Sequence, residues 1–166
     1  MEKERPCAVK NCHRALSKWV PSRITECSRH QYLRLEKERL IKDLVKKFGF
    51  SSDDREFLSL SLNSRHLCCA SVLARYLSIP YATLYGHISK RSIQSEKQRK
   101  RWFISAEEAA RAIDLVRNWI SIREAETIAK TSRETLTSLV LKGNFGPVCR
   151  NLRGILAIRK EYLPLL

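Results

Sequence analysis

Apolar residues recur at helical spacing through residues 31–48. Leu33, Leu40, Ile41, Leu44, Val45 and Phe48 fall on one face, and Arg34, Lys37, Glu38, Lys42, Asp43 and Lys46 on the other. Gly49 follows at the position of a C′ residue, and Ser51-Ser52-Asp53-Asp54 reads as a turn and N-cap. The run Phe57-Leu58-Ser59-Leu60-Ser61-Leu62 alternates apolar with polar, which suits a strand, while residues 53–56 favour the start of a helix; the pattern leaves both open.

Beyond residue 65 the pattern occurs twice. A helix near 67–77 leads through Ser78-Ile79 to Pro80, a residue favoured in the first turn of a helix, and a second helix follows over 81–90. An extended passage opens at Arg91-Ser92-Ile93, and Arg101–Ile104 forms the returning strand of a hairpin. Ser105 with Glu108 is a capping box that opens a helix through Ala109, Ala112, Ile113, Val116 and Trp119. A helix over 122–129, a turn at Lys130-Thr131 and a helix from the N-cap Ser132 to Lys142 repeat the arrangement. Gly143-Asn144 ends that helix in a left-handed turn, with wing strands at 145–148 and 154–158. Shifted by 52 residues without a gap, Thr83 meets Thr135, Leu84 meets Leu136, Ile88 meets Val140 and Ile93 meets Phe145. Arg101 then meets Arg153, Phe103 meets Ile155 and Ile104 meets Leu156.

Charge narrows the function. Thirty-two Lys and Arg face 17 Asp and Glu, giving a net charge of +15 that matches a polyanion. A membrane surface is the competing polyanion. No apolar run approaches the roughly 20 residues that span a bilayer, and the first residues lack the apolar core of a signal peptide. A cytoplasmic protein is expected, whose six cysteines are thiols or metal ligands rather than disulfides.

Cys7, Cys12, Cys27 and His30 lie within 24 residues and form a Cys3His donor set suited to structural zinc. A segment this short has little core of its own, so metal would supply much of its folding free energy. His13 offers a rival donor beside Cys12. Four protein ligands leave no open position for catalytic water. His13, His66 and His87 lack the acidic or asparagine neighbours of an HNH-type nuclease, so no enzyme is expected. The segment resembles the C-x4-C-x-R…C-x2-H-Y zinc modules of phage and mobile-element proteins at Cys7, Cys12, Arg14, Cys27 and His30, with Tyr32 near the usual aromatic. Thr25-Glu26 replaces the usual glycine.

The runs Ala74-x2-Leu77-Ser78-Ile79-Pro80-x2-Thr83-Leu84-Tyr85-x2-Ile88 and Arg101-Trp102-Phe103-Ile104-Ser105-x-Glu107-Glu108-Ala109 resemble the excisionase and MerR-like winged helix-turn-helix family. So does the second copy at Ser132-Arg133-Glu134-Thr135-Leu136, Gly143 and Ala157-Ile158-Arg159. Arg91 stands where that family usually has a left-handed glycine. The implied architecture is mainly α with small β-hairpin wings: a zinc module (1–32), a connector helix and turn (33–64), and two tandem winged helix-turn-helix units (65–119, with a linker helix, and 120–166). The connector either packs on the next domain or forms a homodimer seam. A helix fits the major groove, which places Tyr81, Ala82 and Tyr85 of copy one and Arg133, Glu134 and Thr137 of copy two against bases. Tyr85 reads equally well as core, and Trp102 and Trp119 read as core. Lys97, Arg99, Lys100 and Arg101 of the first wing, and Arg150 and Arg153 of the second, face phosphates or a minor groove. The expected partner is double-stranded DNA, with an integrase, recombinase or RNA polymerase beside it. The resemblance implies a regulator of transcription or a recombination directionality factor; the reading from another class is a protein-interaction adaptor in a recombinase or transposase complex.

Overall fold

The structure, a computed structural model, describes residues 5–9, 12, 14–16, 26–90, 93–145, 149–151 and 155–165. The chain forms two compact units, Met1–Asp43 and Leu44–Leu166. It is mostly helical with small antiparallel sheets.

In the first unit, β1 (Arg5–Pro6) pairs with β2 (Ala15–Leu16). Helix α1 (Ser28–Phe48) begins there and carries the periodicity of the sequence, with Ile41 and Leu44 buried. It ends at Gly49, whose φ of 65° is a conformation that glycine adopts without steric penalty.

Residues 57–62 are not a strand. They belong to α2 (Ser52–Ser61) and its C-cap, Leu62. Leu58 and Leu62, four apart, are buried while Leu60 between them is 78% exposed; a strand would place all three on one face. Ser51 and Asp54 close a capping box that starts the helix. Asp54 is itself buried, accepting from the Tyr76 hydroxyl at 2.7 Å and lying 3.4 Å from Arg117. Tyr76 stacks on Phe57 at 3.8 Å. Removing this buried carboxylate takes away the partner of the Tyr76 hydroxyl and half of the Ser51 capping box, so Asp54→Ala is expected to destabilise this unit by about 1–3 kcal/mol, read by thermal or urea denaturation.

Two successive segments then share one topology. The first is β3 (Leu67–Cys69), α3 (Ala70–Tyr76), α4 (Tyr81–Ser89), β4 (Ser95–Gln98) and β5 (Arg101–Ser105), with sheet order β3-β5-β4. After α5 (Ala106–Arg117) the second is β6 (Trp119–Ser121), α6 (Ile122–Ala129), α7 (Arg133–Leu141), β7 (Cys149–Arg150) and β8 (Leu156–Arg159), with sheet order β6-β8-β7. A short 3-10 helix, Lys160–Leu165, closes the chain. The strand β3 and the helix pair recur at a spacing of 52 residues: β3 begins at Leu67 and β6 at Trp119, α3 at Ala70 and α6 at Ile122, α4 at Tyr81 and α7 at Arg133.

The gapless register fails in the hairpin. Cys68 pairs with Ile104, and its counterpart Ile120 pairs with Ile158, so Ile104 corresponds to Ile158 rather than Leu156, a slip of two residues. The slip conserves the core. Ile120, Ile122, Ala125, Leu136, Val140 and Ile158 are buried together, and their counterparts Cys68, Ala70, Leu73, Leu84, Ile88 and Ile104 are buried as well. The segment 67–69 is therefore strand rather than helix, as is Trp119. In the second hairpin β7 and β8 lie at 149–150 and 156–159; residues 146–148 and 154, on which the expected wing strands partly fall, lie outside the described residues. Helix α5 is no loose linker, since Ala106, Ala109, Ala110, Ala112, Ile113 and Asp114 are all buried. Burial also pushes the Cys68 thiol up to about 11, and all six cysteines are free.

Both helix pairs turn through a non-glycine residue in the left-handed region, Ser78 (φ 53°) and Lys130 (φ 52°), again 52 apart. A side chain there costs about 1–2 kcal/mol, partly offset by the larger chain entropy that glycine loses on folding. Ser78→Gly and Lys130→Gly are each expected to stabilise the unit by up to about 1 kcal/mol, raising its melting temperature by a few degrees.

Candidate metal centre and nucleic-acid interface

The hairpin β1–β2 and the start of α1 bring four donors to one point. Cys7 follows β1 and Cys12 precedes β2; Cys7 N–H donates to the Arg14 carbonyl at 3.2 Å and Cys12 N–H to the Val9 carbonyl at 3.1 Å, closing the loop between them. Cys27 stands immediately before α1, its carbonyl accepting from the backbone N–H groups of His30 and Gln31 at 2.9 and 3.1 Å. His30, one turn on, therefore points back along the helix toward the same sulfurs. Its Nδ1 lies 3.3 Å from both Cys7 Sγ and Cys27 Sγ, Cys12 Sγ lies 4.0 Å from Cys27 Sγ, and all four donor atoms are within 4.8 Å of one another. The arrangement is compatible with a metal site. His13 lies outside the described residues.

Burial opposes ionisation of Cys7. The N–H of Cys27 donates to its sulfur at 3.3 Å, and with further hydrogen bonds at Val9 and His30 it brings the thiol down to about 6. At Cys12 a backbone hydrogen bond at Arg14 favours the thiolate, but burial and the sulfurs of Cys7 and Cys27 outweigh it, so that thiol is shifted up. Among the described residues the buried cluster around these sulfurs is Cys7, Leu16 and Cys27, with Val9 and Cys12 packed against it, so there the ligands themselves make up most of the cluster.

On the first repeat, α4 buries Leu84 and Ile88 and turns Tyr81, Ala82 and Tyr85 outward; each tyrosine is 43% exposed, which settles Tyr85 as a surface residue. The hairpin β4–β5 turns at Arg99-Lys100, with Arg99 at φ 54°. Lys97, Arg99, Lys100 and Arg101 are all exposed. Among the described residues none of the four has a carboxylate within ion-pair distance, and the one acidic residue of the hairpin strands, Glu96, faces Arg65 at 3.7 Å. Trp102 is not core. It is half-buried on the hairpin, edge-on to Tyr85 at 6.3 Å between ring centres, with the Lys97 ammonium 5.7 Å from its ring. Trp119 is core, its indole N–H donating to buried Asp114 at 2.9 Å.

The second repeat places its residues equivalently but with different chemistry. Helix α7 buries Leu136 and Val140 and turns Arg133 and Glu134 outward, with Thr137 partly covered. Arg133 is engaged by Glu126 at 3.3 Å. Leu141 and Ile128 are 63% and 59% exposed. Arg150 is exposed on β7, whereas Arg153, like Arg91 on the first repeat, lies outside the described residues.

No described helix is long and apolar enough to cross a membrane. Comparison of the chain with protein-family models, curated proteins and solved structures returned no match.

Proposed function

We propose that the chain is a non-enzymatic, cytoplasmic DNA-binding protein that regulates a phage or mobile genetic element. In this reading the two repeats are winged helix-turn-helix units and the N-terminal unit is a structural zinc module. The observation that carries it is the recurrence of one helix pair at 52 residues, each copy with its second helix's outer face open to solvent and the first followed by a hairpin of four exposed cations. A recognition helix enters the major groove by such a face, and an adjoining cationic hairpin meets phosphate.

Zinc fits the donor set. Bonds of about 2.3 Å to sulfur and about 2.0–2.1 Å to nitrogen, arranged tetrahedrally, separate ligands by about 3.6–3.8 Å. The donor separations, from 3.3 Å to no more than 4.8 Å, span that range. Cys7, Cys12, Cys27 and His30 would hold the ion, and its role would be to fold the module.

Selection of bound sequences from a random duplex library tests the reading. A two-part motif is expected, one part for each repeat. Absence of any salt-sensitive duplex binding would refute it. A specific observation favours a second role for the second repeat: Arg133 is already paired, Glu134 is acidic, and Leu141 and Ile128 are exposed. That surface suits contact with a recombinase, integrase or RNA polymerase, as in a recombination directionality factor or an adaptor. In that case only one part of the motif would emerge.

A further inference from the structure

The first repeat carries a feature that reading an intact duplex does not require. Tyr81 and Tyr85 lie 6.1 Å apart between ring centres, Tyr85 lies 6.3 Å from Trp102, and the Lys97 ammonium sits over the Trp102 ring. Helix and hairpin are thus joined by a row of three aromatic rings, with Lys97 over one of them and Arg99, Lys100 and Arg101 exposed on the same hairpin. The row is peculiar to this repeat. The residues that correspond to Tyr81, Tyr85 and Trp102 in the second are Arg133, Thr137 and Leu156.

Inside a duplex the faces of the bases are consumed by stacking on one another, and only their edges and the backbone are open to a protein. Aromatic faces find their best partners in unpaired bases. A cationic track for phosphates beside aromatic rings for bases is the combination that single-strand binders use, and it tolerates any sequence because every base has a π-face.

We propose that Tyr81, Tyr85 and Trp102 form a stacking platform for unpaired bases, so that the first repeat takes a single-stranded or locally opened stretch of DNA. This rests on the DNA-binding reading above and narrows the substrate of that surface.

The test uses the full chain and three fluorescent probes at one ionic strength: a 12-nucleotide thymidylate strand, a 12-base-pair duplex, and the same duplex with three unpaired thymidines at its centre. Anisotropy is expected to show the opened duplex bound at least about fivefold tighter than the paired one. Tyr85→Leu and Tyr81→Leu are each expected to weaken strand binding by about fivefold to a hundredfold, and paired-duplex binding by a clearly smaller factor. Tyr85→Phe, which keeps the ring, should restore strand binding and serves as the folding control. Replacing Arg99 and Lys100 with glutamine should weaken all three probes alike. Equal binding of opened and paired duplex, or equal losses on strand and paired duplex in Tyr85→Leu, overturns the platform and leaves the duplex reading standing. Binding to none of the probes overturns both.

Discussion

Replacing Lys97, Arg99, Lys100 and Arg101 together with glutamine is expected to lower the log–log salt slope of duplex binding by about 3.6, four phosphate contacts at about 0.9 each. The parent protein should lose about a hundredfold more affinity than the variant between 50 and 200 mM salt, because a slope difference of that size acts over a fourfold change in concentration. The reasoning starts from the hairpin, where four exposed cations have no carboxylate at ion-pair distance among the described residues and are free to exchange small anions for phosphate. Net charge alone would predict the same loss from any four cations. Glutamine at Arg39, Lys42, Lys46 and Arg55, all exposed on α1 and α2, is the matched control and should lower the slope by less than about one. An equal loss in both variants would mean that the protein binds DNA through bulk charge, without a dedicated hairpin.

The second large effect concerns metal. Purified protein is expected to carry one zinc per chain, and Cys27→Ser or a strong chelator should unfold the segment preceding α1. Structural zinc contributes on the order of 10 kcal/mol in modules of this size. Among the described residues the buried cluster there is Cys7, Leu16 and Cys27, two of them metal donors, so loss of the metal removes what holds that cluster together. Hydrogen exchange read residue by residue should show protection lost at 5–16 and at the first turn of α1, while protection within Leu44–Leu166 persists. A chelated protein whose N-terminal hairpin stays protected would refute the metal-dependent module.

What was legible in the sequence divides along the line between local and distant causes. The bounds of α6 are those the pattern gave, and α7 begins at the N-cap read from the sequence. Both starts are fixed by serines a few residues away, Ser121 and Ser132, whose side chains accept from backbone N–H groups three residues on. The four metal donors were visible because three cysteines and a histidine stand close together in the chain, although only the fold shows that His30 presents Nδ1. Strands β3 and β6 escaped notice. Leu67-Cys68-Cys69 continues the apolar period of α3, and its strand character comes from Ser105, Ile104 and Phe103, more than 30 residues away. The register of the second hairpin was misplaced for a related reason. The apolar run at 155–158 satisfies more than one alignment, and only the pairing with β6 selects Ile158 as the counterpart of Ile104.

The junction between the repeats has a consequence for the architecture of any target. A single residue, Asn118, separates α5 from β6. Asp114 of α5 receives the Asn118 amide and the Trp119 indole, each at 2.9 Å, and lies 3.8 Å from Arg159 of β8. A joint clamped in this way behaves as a ruler with no slack, so if both repeats meet one duplex, the phase between their footprints is set by the protein. Five extra base pairs between the two halves would rotate one of them about half a turn, to the far side of the helix, and the clamp gives the second repeat no means to follow.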